Sequence, residues 1–218
     1  MTPIRTTLEH RVLLPEGAEA RKHPTMIMLH GRGTDEEDLI GLAQQYDPRL
    51  LVLSVRAPFP FQEGGGFTWY DAGSIGTPDP VKFPVSYGKL LRFVEDALRG
   101  YPVDPARVIL LGFSMGSVMA FALSLTRPEL VRAVVAHSGY VPEGTNLSFR
   151  WQDLGSVDFF IAHGTQDPVV PIALARRGKK LFDSSNARVT YREYEIGHQI
   201  SEESLRDSAV FVRGLIGM

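Results

Sequence analysis

The chain contains no cysteine. That absence excludes a disulfide framework, a cysteine nucleophile and thiolate metal sites, and it fits a reducing compartment. The opening stretch, Met1-Thr-Pro-Ile-Arg-Thr-Thr-Leu-Glu-His10, lacks the apolar centre of a signal peptide, and no apolar run approaches membrane-spanning length. The expectation is a cytoplasmic protein without stable membrane insertion. Charge of one sign is also missing: 23 Lys and Arg face 25 Asp and Glu, scattered along the chain, for a formal net charge of -2. There is no basic stripe for nucleic acid and no acidic tail. Repeats, low-complexity tracts and charge blocks are absent too, so nothing supports a second domain. What the chain does have is apolar content, 44% of 218 residues, enough to bury one core without staples. One domain over residues 1–218 is expected.

Short apolar runs recur at Thr25 to Leu29, Leu50 to Val55, Val108 to Leu111, Val131 to Ala136, Val157 to Ala162 and Val189 to Tyr194. The first five are nearly continuous, as strands buried on both faces of a parallel sheet are, whereas the last alternates and suits an edge. Helical spacing appears between and after them. Leu90, Val94, Ala97, Leu98 and Tyr101 share one face, as do Leu205, Ala209, Val212 and Ile216. The alternation predicts an α/β fold with a mainly parallel, doubly wound sheet flanked by helices. Leu8 to Leu14 is expected as an antiparallel edge strand.

The run Arg107-Val-Ile-Leu-Leu-Gly112-Phe-Ser114-Met-Gly116 leads an apolar strand into Gly-x-Ser-x-Gly and on into a small-residue helix. This context makes a nucleophile elbow. The serine backbone is strained at the turn, and the two glycines lack the Cβ atoms that would strike the neighbouring strand and helix. The bland alternative is a turn whose serine only caps a helix.

A serine hydroxyl is a weak nucleophile and needs a base, with an acid behind it to hold the imidazole tautomer. In α/β-hydrolases the chain order is Ser, acid, His. Of the histidines after Ser114, His198 follows the last predicted strand and precedes a helix opened by Ser201-Glu-Glu203, so it is the predicted base. His137 and His163 sit at strand ends and read as structural or site-lining; His10 and His23 read as surface residues, and His30 as a structural hydrogen-bonder. Asp167 lies in a proline-bounded turn directly after the strand Val157 to Ala162 and is the predicted acid, with a capping or Asx-turn aspartate as the alternative. Asp153 and Asp158 fall at the opposite end of the sheet. An oxyanion hole is also required. The Met115 N–H comes with the elbow, and the second donor is assigned to the Arg32 N–H in His30-Gly31-Arg32-Gly33. The Arg32 side chain could meet a substrate carboxylate or pair with Asp35 or Glu36.

Ala57 to Val85 breaks the rhythm with prolines, Gly64-Gly-Gly66 and six aromatics. A loop of this length that follows a strand's C-terminal end is expected to wall a substrate groove, with Trp69 as the expected contact, unless its aromatics only seal it to the core.

Together, Leu29-His-Gly-Arg-Gly33, Gly112-Phe-Ser-Met-Gly116, Ser138-Gly139-Tyr140, His163-Gly-Thr-Gln-Asp-Pro-Val-Val-Pro171 and Gly197-His198 resemble the phospholipase/carboxylesterase family that includes the acyl-protein thioesterases. The resemblance spans nearly the whole chain. It implies an α/β-hydrolase fold and cleavage of carboxylic esters or thioesters, and the short chain is expected to leave no room for a cap domain. It implies no metal or cofactor, a small-molecule ester as partner and frequent homodimers. The chain departs from the thioesterase pattern at Thr34, where aspartate is usual, and at Met115, where glutamine is common, and so looks more like the family's small bacterial carboxylesterases. The resulting expectation is a serine esterase for short-to-medium acyl chains, with lysophospholipase or thioesterase as its nearest variants. A non-catalytic ligand-binding protein on the same scaffold is the alternative from another class.

Overall fold

The fold follows from two alternating sets of apolar side chains on the same strands. In the computed structural model, which describes residues 4–15, 21–71, 73 and 76–217, seven strands form one sheet. They are β1 (His10–Leu13), β2 (His23–Leu29), β3 (Leu51–Val55), β6 (Val103–Phe113), β7 (Ala133–His137), β8 (Asp158–Gly164) and β9 (Arg188–Tyr194). Their spatial order is β1-β3-β2-β6-β7-β8-β9. β1 pairs antiparallel with β3 and all other pairings are parallel.

Ile27, Leu29, Leu110, Val134, Phe159 and Ile161 share one core with the helices α1 (Lys82–Gly100), α2 (Met115–Thr126) and α3 (Ile172–Phe182). Their sequence neighbours Met26, Met28, Ile109, Leu111, Val135 and Phe160 face the other way. They meet Ala43 of a short 3-10 helix and Ala209, Val212 and Ile216 of α4 (Glu202–Ile216). A strand packed on both faces cannot alternate polar and apolar residues, which is why the central runs are continuous. β9, at the edge, alternates exposed and half-buried positions as expected. No described helix is long and apolar enough to cross a membrane.

Three sequence expectations need correcting. β6 is 11 residues long and starts at Val103, ahead of its apolar run, because Val103 pairs with His23 and the register then shifts so that Val108 pairs with Thr25, the segment between carrying an Asp104–Arg107 ion pair. His23 is buried rather than superficial, since it opens a strand covered on both faces, and its N–H donates to the Pro102 carbonyl at 2.7 Å. His10 is half-buried, with its Nε2 2.6 Å from the Tyr101 hydroxyl and its ring edge-on to Phe93. Burial pushes its pKa down.

Ala57 to Val85 is less irregular than its composition suggests; Ala72, Ser74 and Ile75 lie outside the described residues. A small hairpin of β4 (Phe59–Pro60) and β5 (Phe67–Thr68) opens it, and α1 begins at Lys82. The hairpin is tied to the loop after β2, because Gly33 N–H donates to Phe67 O at 2.9 Å and Phe67 N–H to Thr34 O at 2.7 Å.

The glycines flanking Ser114 are required by close approach. A Cβ on Gly116 would stand 1.9 Å from Leu29 O in β2, and one on Gly112 would stand 2.4 Å from Ser117 N in α2. Both obstacles are backbone and cannot rotate away. Gly116→Ala should therefore destabilise the fold by about 3 kcal/mol or more, at or beyond the upper end of ordinary overpacking. A urea titration checks this, and an unchanged midpoint would show that α2 can retreat from β2 at no cost.

Candidate active site

Every strand that contributes to the site does so at its C-terminal end, where an open parallel sheet leaves a crevice. Ser114 follows β6 and caps α2 with φ 54° and ψ -118°, a conformation L-residues rarely adopt. The turn is held by Ser114 N–H donating to the His137 carbonyl at 2.9 Å. Ser117 Oγ lies 2.8 Å from the same carbonyl and 2.7 Å from Gly112 O. His137 is thus placed behind the turn by its backbone. Its buried side chain does not line the crevice, and burial lowers its pKa to about 4.

Asp167 sits in the turn after β8, where Oδ1 accepts N–H donors from Val169 and Val170, each at 2.8 Å. Those two bonds leave Oδ2 to face His198, whose Nδ1 is 2.7 Å away. On its far side His198 Nε2 lies 3.0 Å from Ser114 Oγ. Burial alone would push the Asp167 carboxyl up, but hydrogen bonds from His198 and the Val170 and Val169 amides outweigh it and hold the carboxyl below its usual range. The arrangement can draw a proton from the serine hydroxyl onto an imidazole and stabilise the resulting charge.

His163 supports this turn from beneath. The Val170 carbonyl, 2.8 Å from His163 Nε2, can only accept, so the proton is on Nε2. Nδ1 is then bare and has no partner among the described residues. Burial also depresses the His163 pKa, so the ring stays neutral. His30 is fixed in the opposite tautomer. Its Nε2 accepts from Ala57 N–H at 2.9 Å, and its Nδ1–H faces the Gly31 carbonyl at 2.6 Å. It shapes the loop that carries Arg32.

The crevice above Ser114 has a volume of about 410 Å³. Arg32 and Met115 both line it, and among the described residues neither backbone N–H has a protein acceptor. Both are therefore free to donate to a ligand. The Arg32 side chain is exposed and rests over the Phe61 ring, 5.3 Å from its centroid. It pairs with neither expected acid. Glu36 is buried against Arg56, and Asp35 Oδ1 accepts the Glu37 N–H at 2.9 Å.

Trp69 does not reach the crevice. It is fully buried, and its indole N–H donates to the His30 carbonyl at 2.9 Å, so it braces the loop carrying Arg32 rather than touching a ligand. Its neighbour Tyr70 faces the crevice instead, with Tyr140 from the loop after β7, and the two hydroxyls are 3.2 Å apart. Tyr140 stands in the run Ser138-Gly139-Tyr140, which carries part of the family resemblance but was given no site role. Nothing in the sequence distinguished Tyr70 from Trp69, because residues flanking an irregular hairpin have no periodicity from which to read a facing. Among the described residues no group of three His, Asp or Glu side chains is placed to hold a metal ion.

Comparison with known proteins is consistent across sequence and fold. The model of the Phospholipase/Carboxylesterase family matches residues 15–216. Acyl-protein thioesterase 1 of Candida albicans is 24% identical, covering 94% of this chain and 97% of that protein. A putative hydrolase, MhqD, of Bacillus subtilis is 26% identical over 81% of this chain and 86% of its own length. Among solved structures, a Bacillus cereus carboxylesterase superposes with a TM-score of 0.83 at 25% identity, covering 95% of this chain and 94% of that one. With a match over nearly all of its length and the fold of its hydrolase relatives, the chain belongs to the phospholipase/carboxylesterase family of α/β-hydrolases.

Proposed function

We propose that this hydrolase is a serine carboxylesterase acting on small-molecule esters with short-to-medium acyl chains. The observation that carries the reading is the unbroken series Asp167 Oδ2, His198 and Ser114 Oγ, linked at 2.7 and 3.0 Å. Ser114 Oγ attacks the ester carbonyl while His198 Nε2 takes its proton. The oxyanion receives the Met115 and Arg32 amides, each such donor being worth ~10² to 10³ in rate. His198 returns the proton to the departing alcohol. Water, activated by the same imidazole, then hydrolyses the acyl-enzyme and frees the acid and Ser114. Asp167 holds the imidazole with Nδ1 protonated throughout. The lack of cysteine supports a cytoplasmic setting.

A crevice of about 410 Å³ lies toward the small end of ligand pockets, which favours short acyl chains. A p-nitrophenyl ester series from acetate to palmitate tests this, with kcat/KM expected to peak between butyrate and octanoate. The names of several relatives favour thioester cleavage as a second reading. A long-chain optimum, or a higher kcat/KM on octanoyl thioesters than on matched oxygen esters, would select it. No turnover of either substrate by folded protein would overturn the esterase and leave a ligand-binding role.

A further inference from the structure

The described residues lining the crevice include one full positive charge, Arg32, and no Asp or Glu. Among the described residues this guanidinium is paired with no carboxylate, and the acids at positions 35–38 and 71 each have another partner. Glu36 is bonded to Arg56, Glu37 to Arg11, and Asp71 to Lys82, while Asp38 accepts from Thr34 Oγ1 and Asp35 from a backbone amide. The guanidinium is nevertheless positioned, because it lies over Phe61 of the hairpin segment that Gly33 and Phe67 tie to its own loop.

A second polar feature lies on the same crevice. Tyr70 and Tyr140 share a single hydrogen bond between their hydroxyls, which uses one of their two protons. The other proton has no protein acceptor among the described residues. Burial drives the Tyr70 hydroxyl well above its ordinary pKa, so it stays protonated, and Arg32 lines the same crevice as the tyrosine pair. Among the described residues, an arginine without a carboxylate partner and a hydroxyl proton without an acceptor thus line one largely apolar crevice to which no Asp or Glu contributes.

Building on the esterase reading, we propose that Arg32 and the Tyr70–Tyr140 pair form an anion-recognition wall. The preferred substrates are then esters that carry a second, anionic group a few carbons from the scissile carbonyl. The same residue would serve twice, its amide meeting the oxyanion and its guanidinium the remote carboxylate. That geometry ties recognition of the anion to placement of the carbonyl, because both contacts radiate from one Cα.

The test compares kcat/KM for anionic and neutral partners of equal length. One arm carries the charge on the acyl side, mono-p-nitrophenyl adipate against its methyl ester. The other carries it on the leaving group, 4-acetoxybenzoate against its methyl ester. In at least one arm the anionic ester should be favoured about tenfold, the size of one charge-assisted hydrogen bond, and Arg32→Gln should abolish that ratio. Arg32→Lys should restore part of it, and Tyr140→Phe should reduce it. Because the readout is a ratio, a change in overall rate in any variant does not confound it. Turnover of neutral esters with no anionic preference in either arm, or a preference that survives Arg32→Gln, would overturn the proposal while leaving the esterase standing. No turnover of any ester would instead remove the esterase reading on which it rests.

Discussion

Ser114→Ala should lower kcat on p-nitrophenyl butyrate by a factor on the order of 10⁵ to 10⁶, with KM little changed. Tyr70, Thr77 and Tyr140 also bring hydroxyls to the crevice, but among the described residues only Ser114 Oγ lies within hydrogen-bond reach of His198 Nε2. Ser117 is buried with its Oγ bonded to two carbonyls, and Ser138 is buried at the end of β7. The variant should stay folded, since among the described residues His198 is the one side-chain partner of Ser114 Oγ and the turn itself is held by the Ser114 N–H. Residual activity would come from the oxyanion donors acting on a bound water. A loss of less than about a hundredfold in protein with an unchanged melting transition would mean that the hydrolysis does not pass through a Ser114 acyl-enzyme, because donors alone account for only ~10³ to 10⁴ over water.

Asp167→Asn is expected to cost ~10⁴ in kcat without unfolding the protein. The asparagine carbonyl would take the place of Oδ1, where the Val169 and Val170 N–H groups require an acceptor. The amide NH₂ is then turned toward His198 Nδ1, a position now occupied by an acceptor 2.7 Å away. To avoid opposing two donors, the imidazole must shift its proton to Nε2, and the proton then points at Ser114 Oγ. The base has lost its lone pair for the serine although every heavy atom is in place. The same substitution separates catalysis from capping, because both backbone bonds survive it. A drop of less than tenfold would mean that Asp167 serves the turn alone.

A stability signature accompanies this change. The native Asp167 carboxyl titrates below its unfolded value of about 3.9, so it contributes stability that is present above that pH and is lost as the pH falls through the lower folded value. Asp167→Asn should flatten the acid limb of the stability curve in that window, which acid titration followed by circular dichroism would show.

Much of this site is legible along the chain because its parts are local. Strand, elbow and helix are consecutive in residues 107–120, and the two glycines are needed within that one turn. Asp167 and His198 each lie in the first turn after a strand, so strand periodicity predicts their end of the sheet. The continuous apolar runs state that the central strands are covered on both faces, and the alternation in residues 188–194 marks an edge. These are statements about neighbours in sequence.

The three-dimensional contacts decided what depends on distant partners. Trp69 and Tyr70 are adjacent, yet the pairing of Gly33 and Thr34 with Phe67 turns the first into the core and the second into the crevice. His23 is buried because β2 lies between β3 and β6. Arg32 has no carboxylate partner among the described residues, Glu36 being bonded to an arginine 20 residues further along the chain. The sequence by itself determined the α/β architecture and nominated the three side chains that meet at Ser114, since period and turn chemistry are written locally. Only the tertiary structure decided which aromatic faces the crevice and which charge is left unpaired among the described residues, because hydrogen bonds between remote segments leave no periodic trace in the chain.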